Sequence, residues 1–541
     1  MVDRPKVAVI GAGVLGLVTL KNLLEEGFDA VTFEKNDYVG GLWHFTEDEE
    51  ITSGTENTTW NSCRQMSCYT DYPFPPDYPD FPSIAQVQSY VESYCDHFSL
   101  LSHIRLGHSV KGVSRVNDDT QWRLDFVDQA GVQHEEIFDR LVMAHGQTGA
   151  RHMPVGIEGL ENFKGKVIHG QAFKRGIDFK DKRVLILGSS NTAMDCAADL
   201  DGIAEKIYLS HRSGGLIVPR YHHNMPVEFY ATIKLQAIGR ILDSISPSLW
   251  AYIFNRRVMH ISNHAFGTLD SKWRFSKPPP GRMSNPIIND RIVDILRKGE
   301  VSIVQSLHSI LPSGEAKLSD GQTISDIDTI ILCTGYIYDY SLFDESISPI
   351  SIRNPKWDAS RASGNRSLQR LYQGIFSLEY PESLAFIGAS HYPSSQMPLC
   401  DLVSMALAQV WKGAYPLPSR EVMEDEVNQR QAWLVARARA KEGPSVLPGE
   451  MKSGPWMQWL HEAAGTGVTE KLSYTLRGWW YWLTNMSYCN FLMTSVNTPH
   501  IWRLFDGRRK KWEGAEEAIR AVNTDAAARM KSASLNTKKS T

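Results

Sequence analysis

Two glycine turns, each placed directly after an apolar run, constrain the fold of this 541-residue chain more than any other feature. The first occupies positions 11–16 (Gly-Ala-Gly-Val-Leu-Gly) after the run at 7–10, and the second occupies positions 188–193 (Gly-Ser-Ser-Asn-Thr-Ala) after 184–187. A buried strand, a glycine turn and a helix form the unit that holds a dinucleotide pyrophosphate at the helix N-terminus. One such fingerprint is a weak signal, whereas two in one chain predict two bound nucleotides.

The residue that ends the second strand of each unit distinguishes the two nucleotides. In the first unit this residue is Glu34, whose carboxylate accepts hydrogen bonds from ribose hydroxyls and repels a 2′-phosphate. The first site therefore suits FAD or NAD. In the second unit Arg212 stands there, and its guanidinium matches a 2′-phosphate, which favours NADPH. The segment Gly41, Leu42 and Trp43 can be a simple turn, or its backbone can reach the first pyrophosphate.

The positions of the two units predict an α/β fold with two Rossmann-like dinucleotide-binding domains, the second inserted into the first. We expect residues 1–165 to form the first part of the FAD-binding domain and residues 166–330 to form the inserted NADPH-binding domain. Residues 331–523 then complete the FAD-binding domain with a C-terminal aromatic segment. Residues 524–541 are small, polar and mildly basic, which predicts a flexible tail.

Charge and cysteine content exclude several classes of protein. The 57 basic and 61 acidic residues give a net charge of -4 without a long basic block, so nucleic acid is not an expected partner. The seven cysteines form no C-x-x-C pair and no metal-type cluster, so we expect no metal site and a reducing compartment. The first strand begins too close to Met1 for a secretory signal, which favours the cytoplasm.

The uncharged stretch at 478–502 is rich in tryptophan and also contains several polar residues. That polarity disfavours a membrane span. Contact with the surface of an internal membrane stays open, and a buried or substrate-lining aromatic segment is favoured. The oligomeric state also stays open, with a homodimer as one alternative.

Between the two turns lies the pattern F-x-G-x-x-x-H-x-x-x-F, formed by Phe163, Gly165, His169 and Phe173. With this pattern the chain resembles the flavin-containing monooxygenases, which use FAD and NADPH. The similarity covers about residues 5–520 and includes the family segments Trp60-Asn61-Ser62, Pro73-Phe74-Pro75 and Cys333-Thr334-Gly335-Tyr336.

The resemblance implies residue roles. Asn61 would lie beside the flavin and the nicotinamide and preserve the oxygenated flavin, which makes it the catalytic candidate. His169 would brace the two nucleotide domains. The expected cofactor contacts are Gly11, Ala12, Gly13, Val14, Leu15, Gly16, Glu34, Gly41, Leu42, Trp43, Asn61, Ser62, Val110, Gly188, Ser190, Asn191, Thr192, Ala193, Asp195, Ser210, Arg212, Thr334 and Gly335.

The resemblance also implies a reaction. NADPH would reduce FAD, O2 would add to give a C4a-hydroperoxyflavin, and a small molecule with a soft nitrogen or sulfur atom would take one oxygen. Phe173, where ketone-oxidising Baeyer-Villiger enzymes typically have Trp, favours the heteroatom branch. Baeyer-Villiger oxygenation, an NADPH oxidase-like activity and an inactive flavoprotein scaffold stay open. A flavin disulfide reductase is excluded, since Cys63 and Cys68 have the wrong spacing.

One segment departs from the family pattern. Where the family commonly has E-[IL]-Q-x-R, this chain has Asp-Leu-Val-Ser-Met at 401–405. Because Val403 and Met405 replace a glutamine and an arginine, we expect a more apolar flavin pocket there.

Overall fold

The computed structural model describes residues 4–212, 214–276, 278, 283, 285–392, 394–439 and 446–539, with side chains up to residue 532. The helices of this part of the chain are α1 (Val14–Glu25), α2 (Arg64–Ser67), α3 (Ile84–His97), α4 (Asn191–Leu200), α5 (Ile233–Ile245), α6 (Pro247–Phe266), α7 (Ile292–Lys298), α8 (Pro355–Asp358), α9 (Gln396–Trp411), α10 (Arg420–Ala438), α11 (Ser453–Ala464), α12 (Val468–Lys471), α13 (Leu476–Thr484), α14 (Met486–Thr494) and α15 (Ala515–Lys539).

The strands are β1 (Lys6–Ile10), β2 (Asp29–Phe33), β3 (Ile104–Arg105), β4 (Ser109–Val116), β5 (Gln121–Val127), β6 (Gln133–Phe138), β7 (Arg140–Met143), β8 (Ala150–Arg151), β9 (Lys166–His169), β10 (Arg183–Leu187), β11 (Lys206–Ser210), β12 (Ile217–Val218), β13 (Tyr221–His222), β14 (Met225–Pro226), β15 (Ile287–Ile288), β16 (Val301–Val304), β17 (Leu307–Ile310), β18 (Ala316–Leu318), β19 (Thr323–Ile324), β20 (Thr329–Leu332), β21 (Tyr336–Ile337), β22 (Leu371–Tyr372), β23 (Phe376–Ser377) and β24 (Leu384–Phe386).

The first sheet joins the two ends of the chain. Its order is β22-β23-β24-β7-β1-β2-β3, and β1 pairs in parallel with both β2 and β7. Strand β24 comes from the C-terminal half and lies parallel to β7. The central strand β1 is an apolar run because α1 covers one face and the antiparallel sheet β4-β5-β6 lies towards the other.

The second sheet is built entirely from the middle of the chain. Its order is β16-β11-β10-β20-β9, and every pairing in it is parallel. The chain enters and leaves this domain through β8 and β21, which pair antiparallel with each other. The predicted α/β fold with one Rossmann-like domain inserted into the other is confirmed.

The 401–405 segment lies in the middle of α9, which is buried along its whole length. Val403 and Met405 are buried in the apolar core of the first domain, and the expected gain in apolar character of the flavin pocket stays a prediction. The Asp401 carboxylate accepts hydrogen bonds from the Thr70 hydroxyl (2.7 Å) and from the Asn22 amide (2.9 Å), and Arg503 joins this buried network through Asn22 (2.9 Å). The acid at 401 is therefore compensated by polar partners from α1 and from the C-terminal segment.

The tail that the composition predicts as flexible from residue 524 is instead part of α15, which is described up to Lys539. Ala526 is buried against Phe81 and Phe229, and the Arg529 guanidinium binds the Asp80 carboxylate (2.6 and 3.0 Å). An alanine-rich sequence favours a helix, and this helix is held by an apolar contact and an ion pair. Residues 540 and 541 lie outside the described part.

The tryptophan-rich stretch at 478–502 folds mainly as the short helices α13 and α14. Trp480 is 70% exposed and Leu476 is 90% exposed, so the expectation of a buried or substrate-lining segment is wrong for the outer face of α13. Among the described residues, no helix combines the length and the apolar character that crossing a membrane requires.

Candidate functional site

The first glycine turn is held by two very close backbone approaches. Gly11 has φ 105°, and a Cβ on it would lie 2.9 Å from the Ala144 carbonyl oxygen. A Cβ on Gly16 would lie 1.7 Å from the Gly11 carbonyl oxygen. Gly13 differs, because its nearest neighbour would be the Gly41 Cα at 3.7 Å. Packing therefore requires glycine at positions 11 and 16, whereas Gly13 leaves room for a ligand.

Glu34 lies where the sequence places it, at the end of β2, and its carboxylate is buried. Oε2 accepts a hydrogen bond from the Ala12 N–H (2.8 Å), and Oε1 accepts from the backbone and side-chain amides of Asn36 (2.9 Å each). The carboxylate therefore holds the glycine turn in shape, and Oε2, which accepts only one hydrogen bond, keeps an acceptor site for a ribose hydroxyl.

The loop that carries Gly41, Leu42 and Trp43 lies against the first turn. The N–H of the neighbouring Gly40 donates to the Ala12 carbonyl (3.0 Å), and a Cβ on Gly41 would lie 3.1 Å from the Gly13 Cα. Trp43 stacks on Trp60 with ring centroids 4.2 Å apart. The sequence-predicted loop and turn thus form one cradle, and Trp60 brings Asn61 next to its edge.

Arg220, which sequence reasoning missed, orients the Asn61 amide. Its Nη2 donates to Asn61 Oδ1 (3.0 Å), while Nη1 donates to the Asp290 carboxylate (2.9 Å). Since a guanidinium only donates, the amide oxygen must face Arg220 and Nδ2 must point the other way. A cleft of about 310 Å³ opens beside Arg220 between the two domains. No sequence motif marks Arg220.

Glu228 is a second group that the sequence did not reveal. Its carboxylate accepts a hydrogen bond from the Cys63 N–H (2.9 Å), directly after Ser62. Burial raises the pKa of Glu228 to about 7, and it also raises the pKa of the Cys63 thiol. The inserted domain therefore holds the Asn61–Ser62 segment through both Arg220 and Glu228.

The second glycine turn is more open than the first. Gly188 has φ 147°, and a Cβ on it would lie 2.6 Å from the Cys333 carbonyl oxygen, so glycine is required. Ser190 precedes α4 without a side-chain cap, which leaves the first amides of this helix free for an anion. Asn191 and Asp195 bind the segment at 288–289: Asn191 accepts from Ile288 and Asp195 from Asn289 (3.0 Å each).

Arg212 faces two arginines from the FAD domain, Arg361 and Arg366. Burial together with Arg361 lowers the pKa of Arg212, and burial together with Arg212 lowers that of Arg366. Arg366 lies 3.5 Å from a Cβ built on Gly335 and donates to the Thr334 carbonyl (3.3 Å). Within the described part of the chain, no carboxylate pairs with these three guanidiniums. Such a cluster of cations indicates an anion site.

His169 joins the two crossings between the domains. Its Nδ1 accepts from the Gln171 N–H (3.2 Å), so Nε2 carries the proton and donates to the Gly335 carbonyl (3.0 Å). Thr334, next to Gly335 in the segment that leaves the inserted domain, donates to the carbonyl of His152 in the segment that enters it (2.6 Å). Phe173 is buried against Phe179 inside the inserted domain. The His169 side chain thus links the inserted domain to the segment through which the chain leaves it.

The remaining expected contacts are distributed around the two turns. Val14 and Ala193 are buried, Leu15 lies against Gly388, and Thr192 lies against Gly170. Val110 lies in β4, pairs with Phe126 and packs against the apolar cluster that contains Ile10. Ser210 donates to the Gln305 carbonyl (2.9 Å) and accepts from Leu307 (3.0 Å), so its hydroxyl serves the second sheet.

The residues present fit both nucleotides. The Gly13–Gly41 cradle with Glu34 matches a pyrophosphate and a ribose without a 2′-phosphate, and the three arginines with the uncapped α4 match a phosphorylated ribose. A model of the flavin-binding monooxygenase-like family matches residues 4–540. The chain belongs to this family.

Related proteins agree. The monooxygenase aurF of Gibberella zeae is 40% identical over 97% of this chain and 99% of its own length. Human flavin-containing monooxygenase 1 is 30% identical over 79% of this chain and 77% of its own. This protein is accordingly an NADPH-dependent flavin monooxygenase, and its cofactors are FAD and NADPH.

Solved structures carry the same fold. The S-allyl-L-cysteine S-oxygenase of Allium sativum has a TM-score of 0.60 at 21% identity, covering 85% of this chain and 89% of its own. A complex of OTEMO with FAD and NADP has a TM-score of 0.59 at 17% identity, covering 85% and 97%. The two-domain architecture of this monooxygenase is thus the one found in these enzymes.

Proposed function

We propose that this monooxygenase oxygenates a soft nitrogen or sulfur atom of a small molecule, using O2 and NADPH. The chemistry that the flavin supplies is the formation of a C4a-hydroperoxide. The protein holds both nucleotides, orients one amide donor next to the flavin cradle and excludes water.

The orientation of the Asn61 amide carries this proposal. Arg220 holds Oδ1, so the two Nδ2 protons are presented on the opposite side, and no residue in the described part of the chain accepts from them. An amide held in this way donates to an oxygen atom at the flavin without reorganising. We infer that Asn61 stabilises the oxygenated cofactor until substrate arrives.

The charge balance at Arg220 supports an amine or a sulfide over a ketone. Ketone oxygenation needs an anionic peroxide, whereas a soft nucleophile attacks the neutral hydroperoxide. The Arg220 guanidinium is compensated by Asp290, which accepts from both its side chain (2.9 Å) and its backbone N–H (2.8 Å). A compensated cation stabilises a peroxide anion less than a free one does.

We also propose that Arg212, Arg361 and Arg366 together bind the 2′-phosphate of NADPH. Burial and the neighbouring Arg361 lower the pKa of Arg212, burial and Arg212 lower the pKa of Arg366, and a phosphate dianion between the guanidiniums would remove the repulsion. Arg361 and Arg366 come from the FAD domain, so phosphate binding would hold the two domains together.

Product analysis tests the proposed substrate class. The purified enzyme is supplied with NADPH, O2 and either methyl phenyl sulfide, N,N-dimethylaniline or cyclohexanone. We expect sulfoxide or N-oxide to form with matching NADPH consumption. A lactone as the main product would assign the ketone reaction instead, and a colourless protein that takes up no FAD would indicate an inactive scaffold.

For location, we propose a cytoplasmic enzyme whose α13 rests on a membrane surface. Trp479, Trp480 and Leu483 project from one short helix and are 48%, 70% and 59% exposed. Tryptophan is favoured at the boundary between lipid and water. In flotation with phosphatidylcholine and phosphatidylserine vesicles, we expect the wild type to float and the double variant W480S/L483S to remain in solution. Equal flotation of both would refute this contact.

A further inference from the structure

Histidines from two separate elements of the inserted domain meet at one place on the surface. His222 belongs to β13, and His223 follows it in the turn to β14 with φ 50°. His264 lies near the end of α6, one helical turn after His260. One ring nitrogen from each of His222, His223 and His264 lies within 4.8 Å of the others. The ring centroids are separated by 4.2, 4.7 and 4.5 Å.

Packing alone does not account for this cluster. The Nδ1 atom of His222 is buried and has no hydrogen-bond partner in the described structure, which is costly for a ring nitrogen. The rings are therefore held together with lone pairs available.

From this geometry we propose that His222, His223 and His264 form a binding site for a divalent cation of the zinc type. Neutral imidazoles are preferred ligands of Zn²⁺, Cu²⁺ and Ni²⁺, whereas Mg²⁺ and Ca²⁺ require oxygen ligands. Tetrahedral bonds of about 2.0–2.1 Å to zinc place ring nitrogens about 3.4 Å apart, so nitrogens within 4.8 Å of one another must approach by at most about 1.4 Å, which side-chain rotations provide. His260 lies four positions before His264 on the same helix face but outside the group of three whose ring nitrogens meet, so the fourth position on the metal is left for water.

A bound cation would fasten the β13–β14 hairpin to α6. Arg220 and Tyr221 immediately precede His222, and Tyr221 contacts Phe81 edge-on with centroids 5.1 Å apart. The metal would therefore stiffen the strand whose preceding residue, Arg220, holds Asn61. This site is separate from the nucleotide sites and needs no redox step.

Titration of the full chain with ZnCl2 tests the site. The protein is prepared without a histidine tag, loaded with FAD, treated with EDTA and dialysed, and binding is measured by isothermal calorimetry. We expect about one Zn²⁺ per chain, and no heat with MgCl2. His222→Ala and His264→Ala lie on different elements, and each should weaken binding at least about tenfold. His308→Ala removes an exposed histidine elsewhere and should bind as the wild type does.

Flavin content and melting temperature show whether each variant is folded, since both are measured without zinc. Failure of the wild type to bind ZnCl2 would overturn the proposal. Wild-type affinity in both folded variants would do the same, because the ion would then bind elsewhere. A rise in melting temperature with ZnCl2 that is lost in His264→Ala would support the fastening of the hairpin.

Discussion

The two glycine turns of this monooxygenase share a strand-turn-helix plan but differ in how complete they are without a ligand. In the first, Glu34 is already bonded to Ala12 and Asn36. In the second, Arg212 faces other cations, and no carboxylate in the described structure compensates it. The charged side chain of the first site is already hydrogen-bonded without a ligand, whereas the charge of Arg212 in the second site is compensated when an anionic ligand binds. This difference suits a resident FAD and an NADPH that exchanges in each reaction cycle.

The largest expected effect comes from filling the first turn. Gly16→Ala places a methyl group 1.7 Å from the Gly11 carbonyl oxygen, and we expect a loss of at least about 3 kcal/mol in the free energy of unfolding, together with the flavin. Thermal unfolding and flavin absorbance measure both. Gly13→Ala should keep the melting temperature and lose FAD affinity. Gly454→Ala, with nothing within 4 Å, is the neutral control. A stable, yellow Gly16→Ala protein would contradict the packing argument.

A substitution at the second turn should weaken nucleotide binding and leave the free energy of unfolding unchanged. Arg212→Ala should raise the KM for NADPH roughly 10- to 100-fold, since a hydrogen bond to a charged group contributes about 1.5–3 kcal/mol. The KM for NADH should stay unchanged. Steady-state kinetics with both nucleotides measure this, and Arg256→Ala on the exposed face of α6 is the control. Equal effects on NADPH and NADH would remove the basis for a 2′-phosphate site.

Arg366 extends the same test across the domain boundary. Arg366→Met keeps the side-chain volume and removes the charge, so we expect the KM for NADPH to rise about tenfold, or about 1.4 kcal/mol, with the KM for NADH unchanged. If both KM values rise together, Arg366 serves the pyrophosphate and not the 2′-phosphate. If neither changes, the arginine cluster is no anion site.

Asn61→Asp should separate reduction from oxygenation. The variant replaces the amide donor with an acceptor of the same size, so NADPH oxidation should continue while most of the consumed oxygen appears as hydrogen peroxide. The ratio of peroxide to NADPH measures this uncoupling. Asn263→Asp, on the exposed face of α6, should leave the ratio as it is in the wild type. An Asn61→Asp enzyme that still transfers oxygen to its substrate would exclude the proposed role.

Asp195 on α4 should affect only the pH dependence of stability. Burial raises its pKa from 3.8 to about 6, so the folded protein holds this proton more tightly than the unfolded chain does. Stability is therefore lost as the pH rises from about 4 to 6. Asp195→Asn should raise the free energy of unfolding by roughly 2 kcal/mol at pH 7.5 and by nothing at pH 3.5. Denaturant unfolding at the two pH values measures this, and an equal gain at both would contradict it.

The sequence predicts the fold well because both glycine turns follow buried strands and because Glu34 and Arg212 end the next strand. Local spacing contains that information. It also places Asn61 near the first turn through a family motif. Arg220, Glu228, Arg361 and Arg366 escape prediction because each reaches its partners across the domain boundary, from positions that no local pattern marks.

Two expectations failed for a common reason. Polarity predicts a flexible tail from residue 524 onward, whereas Arg529 forms an ion pair with Asp80. Hydrophobicity predicts a buried or substrate-lining segment at 478–502, whereas the outer face of α13 is exposed. Tertiary partners decided each case.

Stopped-flow spectroscopy of the NADPH-reduced enzyme mixed with O2 tests the central claim most directly. With Asn61 held by Arg220 and NADP retained by the arginine cluster, the account predicts a long-lived flavin hydroperoxide spectrum that decays faster when methyl phenyl sulfide or N,N-dimethylaniline is added. An immediate return to oxidised flavin with release of hydrogen peroxide, unaffected by either compound, would contradict it.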